Sequence, residues 1–151
     1  MQKLIDALLG QRKTKAYQIG DSTVMLQTLT AGEQAEIARS ISGYDLAAQS
    51  EAAKVPILAR SIVSVNKSPL ESHPEVREML RADPTMQTVR AVEKTIYDLD
   101  WGLVDYLFNN CYSDLVTERM KELDSLKNSS RVQQAESFGK SAPSSAKVPV
   151  A

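Results

Sequence analysis

The sequence predicts a mainly α-helical (α+β) domain with one small N-terminal β-hairpin and a disordered C-terminal tail. Three observations support this fold class. Apolar residues recur at three- and four-residue spacing along most of the chain, as on the buried face of amphipathic helices. Alternating polarity is confined to residues 15–29, around a turn sequence. From residue 128 onward the chain is too poor in bulky apolar side chains to build a core.

Length and composition restrict the chain to one ordinary domain. The 151 residues are 42% hydrophobic and 25% charged, which is typical of globular proteins rather than of disordered or membrane-spanning ones. Because the chain has 18 basic and 19 acidic residues, it has no net positive charge that would attract nucleic acid. One cysteine and one histidine cannot supply a disulfide or a zinc site on their own. We therefore expect no metal, cofactor, nucleic-acid or membrane partner.

Residues 1–14 are predicted to form an amphipathic N-terminal helix. One side of this helix carries Leu4, Ile5, Leu8 and Leu9. The helix is expected either to fold back on the core or to dock a partner. Its basic residues are too few for a membrane anchor.

The alternating segment is predicted to be a β-hairpin that turns at Gly20-Asp21-Ser22. An isolated two-stranded ribbon is marginally stable in water, so it must pack on helices or extend a sheet from another chain. The second possibility leaves a strand edge free for assembly. The apolar residues of the hairpin, together with two from the N-terminal helix, are the predicted protein-binding residues. They are Tyr17, Ile19, Val24, Leu26, Leu4 and Leu8.

Residues 15–127 are predicted to form the hairpin and a helical body. Thr30 and Glu33 fit a capping box that starts a helix at Ala31, and Asp45 fits the cap of the next helix. That helix carries a strong apolar stripe, which is predicted to stay helical up to Asn66. The stripe comprises Val55, Leu58, Ile62 and Val65.

Three further helices are predicted in the second half of the chain. Ser72 and Glu75 fit a second capping box around Pro74. A helix then follows from Thr85, and the longest periodic segment runs from Trp101 to about Lys127. Residues 128–151, rich in Ser, Pro and Ala, are predicted to be the disordered tail.

No catalytic residue is predicted, and the protein is not expected to be an enzyme. His73 lies in a solvated connection without an oriented neighbour, and Cys111 lies on an apolar helix face. Arg60 is expected to extend along the apolar surface to solvent or to pair with a carboxylate. Five aromatic residues are also candidate functional residues, and their spacing fits either the core or a protein interface. They are Tyr97, Trp101, Tyr106, Phe108 and Tyr112.

Two stretches of the chain carry a resemblance to a known family. The hairpin ends in Val-Met-Leu-Gln-Thr-Leu-Thr-Ala-Gly-Glu (24–33), and Lys-Val-Pro-Ile-Leu-Ala-Arg-Ser-Ile-Val-Ser-Val-Asn (54–66) follows a helix. In this order the chain resembles the tail assembly chaperones of long-tailed bacteriophages over about residues 15–125. Phage baseplate-hub assembly proteins share much of this plan.

The resemblance implies a helical, non-enzymatic chaperone of virion morphogenesis that acts in the host cytoplasm. Such a protein binds the long helical tape-measure protein, keeps its apolar stripes from aggregating and helps to recruit tail-tube subunits. The alternative is a structural subunit of the virion tail, in the baseplate, tail tip or neck. Either role makes phage tail proteins the expected partners, and a homo-oligomer is compatible with both.

Overall fold

The computed structural model describes residues 2–9 and 12–141, which form a set of helices and a small four-stranded sheet. This architecture confirms the predicted mainly α fold. The strands are β1 (Thr14–Ile19), β2 (Ser22–Gln27), β3 (Ile62–Val65) and β4 (Ser68–Pro69). The helices are α1 (Gln2–Leu9), α2 (Ala31–Ile41), α3 (Leu46–Ser61), α4 (Pro74–Ala82), α5 (Thr88–Tyr97), α6 (Trp101–Tyr106) and α7 (Ser113–Ser141). A 3₁₀ turn spans Leu70–Ser72 and a π-helical turn spans Leu107–Tyr112.

The predicted hairpin is present as β1 and β2. The strands pair antiparallel, with Tyr17 opposite Val24. Gly20 has φ +60° at the first loop position, where a type II′ turn requires a positive φ and therefore favours glycine. The hairpin is half of a larger sheet, because two more strands extend it in the order β1-β2-β3-β4.

The prediction that the apolar stripe remains helical up to Asn66 is wrong. Helix α3 ends at Ser61, and residues 62–65 form β3, which pairs antiparallel with β2. Three of these four residues are β-branched, which favours a strand wherever an unpaired neighbouring strand is available. Asn66 and Lys67 then adopt φ values of 51° and 69° in a two-residue loop, as a type I′ turn requires. The edge of β2 that was expected to be free therefore pairs with β3 of the same chain.

Two predicted helix starts are confirmed by their caps. Thr30 and Glu33 form the complete capping box, and the side chain of Asp45 accepts the amide of Ala48 at 2.8 Å. The second predicted box is wrong. The residue before α4 is His73, which makes no side-chain cap, and the hydroxyl of Ser72 donates to the carbonyl of Pro69 instead.

One continuous core joins the sheet to the helices. Leu26, Leu58 and Leu115 have no exposed side-chain surface, and they come from β2, α3 and α7. The π-helical turn adds buried residues between α6 and α7. They are Leu107, Cys111 and Tyr112.

The last helix extends beyond its predicted end. Backbone up to Ser141 is helical, although disorder was predicted from residue 128. Residues 131–136 are mostly good helix formers, and the first helix-breaking proline comes only at Pro143. Low apolar content excludes a core but does not exclude a helix. Residues 142–151, the rest of the predicted tail, lie outside the described residues.

Candidate protein-binding surface

Most of the hairpin residues that were predicted to bind a partner contact other parts of the same chain. Val24 is 7% exposed and Leu26 is fully buried, because β3 covers their strand and the helices cover their face of the sheet. These two residues are therefore corrected from contact residues to core residues. Ile19 is half-buried and packs against the same core.

Tyr17, the fourth hairpin residue, belongs to a polar contact between the sheet and α7. Three alternate side chains, one just before β1 and two on it, face three carboxylates spaced four residues apart on α7. The three side chains are Lys13, Lys15 and Tyr17, and the carboxylates are Asp114, Glu118 and Glu122. Two strand residues span about 6.7 Å and four helical residues about 6 Å, so the two series stay in step. We call this contact the β1–α7 zipper.

The bonds of the zipper are short and have a clear effect on pKa values. Nζ of Lys15 lies 2.5 Å from Oε1 of Glu118, and the hydroxyl of Tyr17 donates to Oδ2 of Asp114 at 2.8 Å. The hydrogen bonds from Tyr17 and Lys15 hold the pKa of Asp114 below its ordinary value. Burial, followed by the hydrogen bond to Asp114, raises the pKa of Tyr17. Tyr17 therefore fastens β1 to α7 and is not a free contact residue.

The N-terminal helix leaves part of its apolar stripe open to solvent. Helix α1 spans Gln2–Leu9, inside the predicted range 1–14, and Leu4 is 40% exposed. The side chain of Leu8, the other predicted contact residue here, lies outside the described residues. Leu4 remains a candidate contact residue.

The largest exposed aromatic side chains lie at the corner between α5 and α6. Trp101 is 69% exposed, Tyr97 is 61% exposed and Leu99 between them is 40% exposed. The corner is fixed by Asp100, whose carboxylate accepts the amide of Leu103 at 3.2 Å and so caps α6. The backbone therefore holds these apolar side chains outward on a rigid turn.

Two concavities join these side chains to the end of α2. Tyr97, Leu99 and Trp101 line a cavity of about 170 Å³. On its other side Tyr97 shares a cavity of about 280 Å³ with Ile41 and Tyr44. Tyr44 is 53% exposed, and its proximity contributes, after burial, to the raised pKa of Tyr97. We call the surface of Ile41, Tyr44, Tyr97, Leu99 and Trp101 the aromatic groove.

Ion pairs of two cationic side chains on α3 connect the helices that carry the groove. Lys54 on α3 is 8% exposed, and its Nζ lies 2.7 Å from Glu51 and 2.8 Å from Asp105. These hydrogen bonds raise the pKa of Lys54, so it stays charged. Arg60 pairs with Glu93 at 2.9 Å, which confirms the expected carboxylate partner and ties α3 to α5. The groove therefore rests on helices with fixed spacing.

The two residues considered for catalysis are a buried thiol and an exposed imidazole. Cys111 is 2% exposed, and burial raises the pKa of its thiol, which disfavours the nucleophilic thiolate. His73 is exposed at the start of α4. Within the described residues, no three His, Cys, Asp or Glu side chains are placed to hold a metal ion.

The sequence pattern identified only part of the groove. Tyr97 and Trp101 were interpreted as core or interface, and the structure places both at the surface, whereas Tyr112 is buried. Tyr44 and Leu99 were missed because they lie in connections, outside any periodic stripe. Each of the two directly precedes an Asp that caps a helix, and a large apolar residue in that position is the sequence feature that could have predicted their exposure.

Comparison of the sequence with known protein families, with curated proteins and with solved structures gives no match. No helix among the described residues is long and apolar enough to cross a membrane. The aromatic groove and the family resemblance are therefore the basis for a function.

Proposed function

We propose that this protein is a non-enzymatic phage tail assembly chaperone that binds a helical segment of the tape-measure protein in its aromatic groove. The observation that carries the proposal is the exposure of Tyr44, Tyr97 and Trp101 around adjoining concavities on a rigid support. Tyrosine and tryptophan dominate the binding energy of protein interfaces because they bury a large area at low entropic cost.

A helix is the kind of partner that such a groove accommodates. An amphipathic helix presents apolar side chains at positions i, i+3, i+4 and i+7, and these insert into a row of adjoining concavities. The aromatic groove offers such a row, since Tyr97 forms a wall of two neighbouring cavities. A long helical client with exposed apolar stripes would be kept soluble by this contact.

The proposal places the protein in the host cytoplasm during tail assembly, with tape-measure and tail-tube subunits as partners. A structural subunit of the virion tail would use the same groove as a permanent interface. The two roles differ in stoichiometry. A chaperone is absent from purified particles, whereas a baseplate, tail-tip or neck subunit is present in fixed copy number.

The proposal is tested by co-expression with the tape-measure protein, expected as a very long helical protein encoded in the neighbouring downstream reading frame. We expect the wild-type chain to keep that client soluble and to co-purify with it. The variant Tyr97→Ser/Trp101→Ser should lose both effects while keeping its helicity. Met120→Ser is the matched control, because Met120 is 54% exposed on α7 and does not line the groove.

Two results would contradict the proposal. One is a client that stays soluble and co-purifies equally with the double variant, which would mean that the contact lies elsewhere, for example around Leu4. The other is a neighbouring region that encodes no long helical protein.

A further inference from the structure

A third concavity continues the aromatic groove beyond Leu99 and is acidic. It measures about 560 Å³ and shares Leu99 with the cavity beside Trp101. Its apolar part comes mainly from Met79 and Ala82 on α4. Its charged lining consists of Glu75, Glu78 and Asp98, with no cationic side chain among the described residues that line it.

The arrangement of α4 separates its charges by sign. Glu75 and Glu78 lie three residues apart on the side that lines the cavity, whereas Arg77 and Arg81 do not line it. Asp98 is the C-terminal cap residue of α5, where a negative charge opposes the helix macrodipole. Three carboxylates are thus gathered around an apolar floor at one end of the groove.

Within the part of the chain that the structure describes, these carboxylates differ from the acidic residues around the aromatic groove in having no ion-pair partner. Glu51, Glu93 and Asp105 each form an ion pair with a lysine or arginine. Among the residues that the structure describes, Glu75, Glu78 and Asp98 form none within 4.0 Å. Their charge is therefore available to a ligand.

We propose that the helical segment bound in the aromatic groove carries a cluster of Lys or Arg residues at the end of its apolar stripe, which lies against this acidic cavity. The proposal rests on the proposed function and adds the charge and the direction of the client. The apolar stripe supplies the affinity, and the ion pairs select the segment and fix which end lies at Leu99. A segment bound in reverse would leave the carboxylates unpaired.

The test uses three synthetic amphipathic helical peptides with one leucine stripe and no tryptophan. They differ only at one end, which carries three Lys, three Gln or three Glu residues. Trp101 is the single tryptophan of the chain, so its emission reports binding in the groove directly. We expect the Lys peptide to bind roughly tenfold more tightly than the Gln peptide at low salt, since each exposed ion pair contributes a factor of about two. The Glu peptide should bind most weakly.

The variant Glu75→Gln/Glu78→Gln/Asp98→Asn should lose this preference while keeping the wild-type affinity for the Gln peptide. The control Asp21→Asn/Glu71→Gln/Asp124→Asn changes the net charge equally outside the three cavities and should keep the preference. High salt should reduce the preference in the wild type, because it screens exposed charges.

The outcomes separate this inference from the proposed function. Equal affinity for all three peptides, or a preference that persists in the Glu75/Glu78/Asp98 variant, overturns the acidic-end inference and leaves the groove intact. A Trp101 emission that responds to none of the peptides overturns both.

Discussion

At the residue scale, the polar side chains inside this protein are satisfied by specific partners. No described buried side-chain nitrogen or oxygen lacks a hydrogen bond. The guanidinium of Arg60 donates to the carbonyl of Pro56 and to Glu93, both at 2.9 Å. Both side chains of the Arg60–Glu93 pair are 8% exposed. Without Glu93, the nearest remaining carboxylate is that of Glu36, 3.6 Å from Arg60, and its side chain is 57% exposed. The loss of Glu93 would therefore leave the buried charge of Arg60 poorly compensated.

Breaking a buried ion pair usually costs about 3–5 kcal/mol. Because Glu36 remains near Arg60, Glu93→Ala is expected to lower the free energy of unfolding by about 3 kcal/mol, the lower end of that range. Arg90 is the other partner of Glu93, and the side chain of Arg90 is 56% exposed. The variant Arg90→Ala should therefore lower the free energy of unfolding by no more than about 1 kcal/mol. Urea unfolding followed by circular dichroism measures both values. Equal costs for the two variants would show that the Arg60–Glu93 pair is not buried in solution.

Cys111 gives a second prediction at this scale. Because the thiol is buried and burial raises its pKa, a thiol-specific reagent should label native protein slowly at neutral pH. The same reagent should label the protein rapidly in denaturant, which serves as the control. Equally fast labelling in both states would mean that the π-helical turn does not hold Cys111 in the core.

At the element scale, the β1–α7 zipper is a polar contact that joins the sheet to the last helix. Strand β1 is an edge strand of the sheet, and it contacts α7 through Lys15 and Tyr17, together with Lys13 just before the strand. Hydrogen bonds from Lys13 and Arg119 lower the pKa of Glu122, as those from Tyr17 and Lys15 lower that of Asp114. The zipper therefore depends on ionised carboxylates.

This dependence predicts a loss of stability in acid. A carboxyl group with a lowered folded pKa stabilises the fold above its unfolded pKa, and the effect disappears as the pH falls through the folded pKa. The ordinary values are 3.8 for Asp114 and 4.5 for Glu122, so the loss should begin near these values and continue below them. The urea midpoint of the wild type should fall across this range.

The variant Asp114→Asn/Glu122→Gln should show a shallower fall over the same pH range, because it lacks the two titrating groups. Asp124→Asn on the same helix is the control and should follow the wild type. A variant curve parallel to the wild-type curve would mean that the zipper contributes nothing to stability.

At the scale of the whole molecule, the sequence predicted the elements better than the surface. Caps such as Thr30 and the apolar helix faces depend on neighbours in sequence and were predicted correctly. Strand β3 was missed because Ile62 and Val65 also fit the helical spacing of the preceding stripe, and only the open edge of β2 decides between the two. The exposure of Trp101 was left open for a similar reason, since helical spacing does not reveal which faces another helix covers.

We propose that the groove around Trp101 binds a helical client. Acrylamide quenching of the single tryptophan tests this binding most directly. In the free protein Trp101 is 69% exposed, so its emission should be quenched efficiently. For the proposed complex with a tryptophan-free tape-measure segment, we predict a blue-shifted emission and a quenching constant several-fold lower. A complex whose Trp101 is quenched as efficiently as in the free protein would contradict the claim.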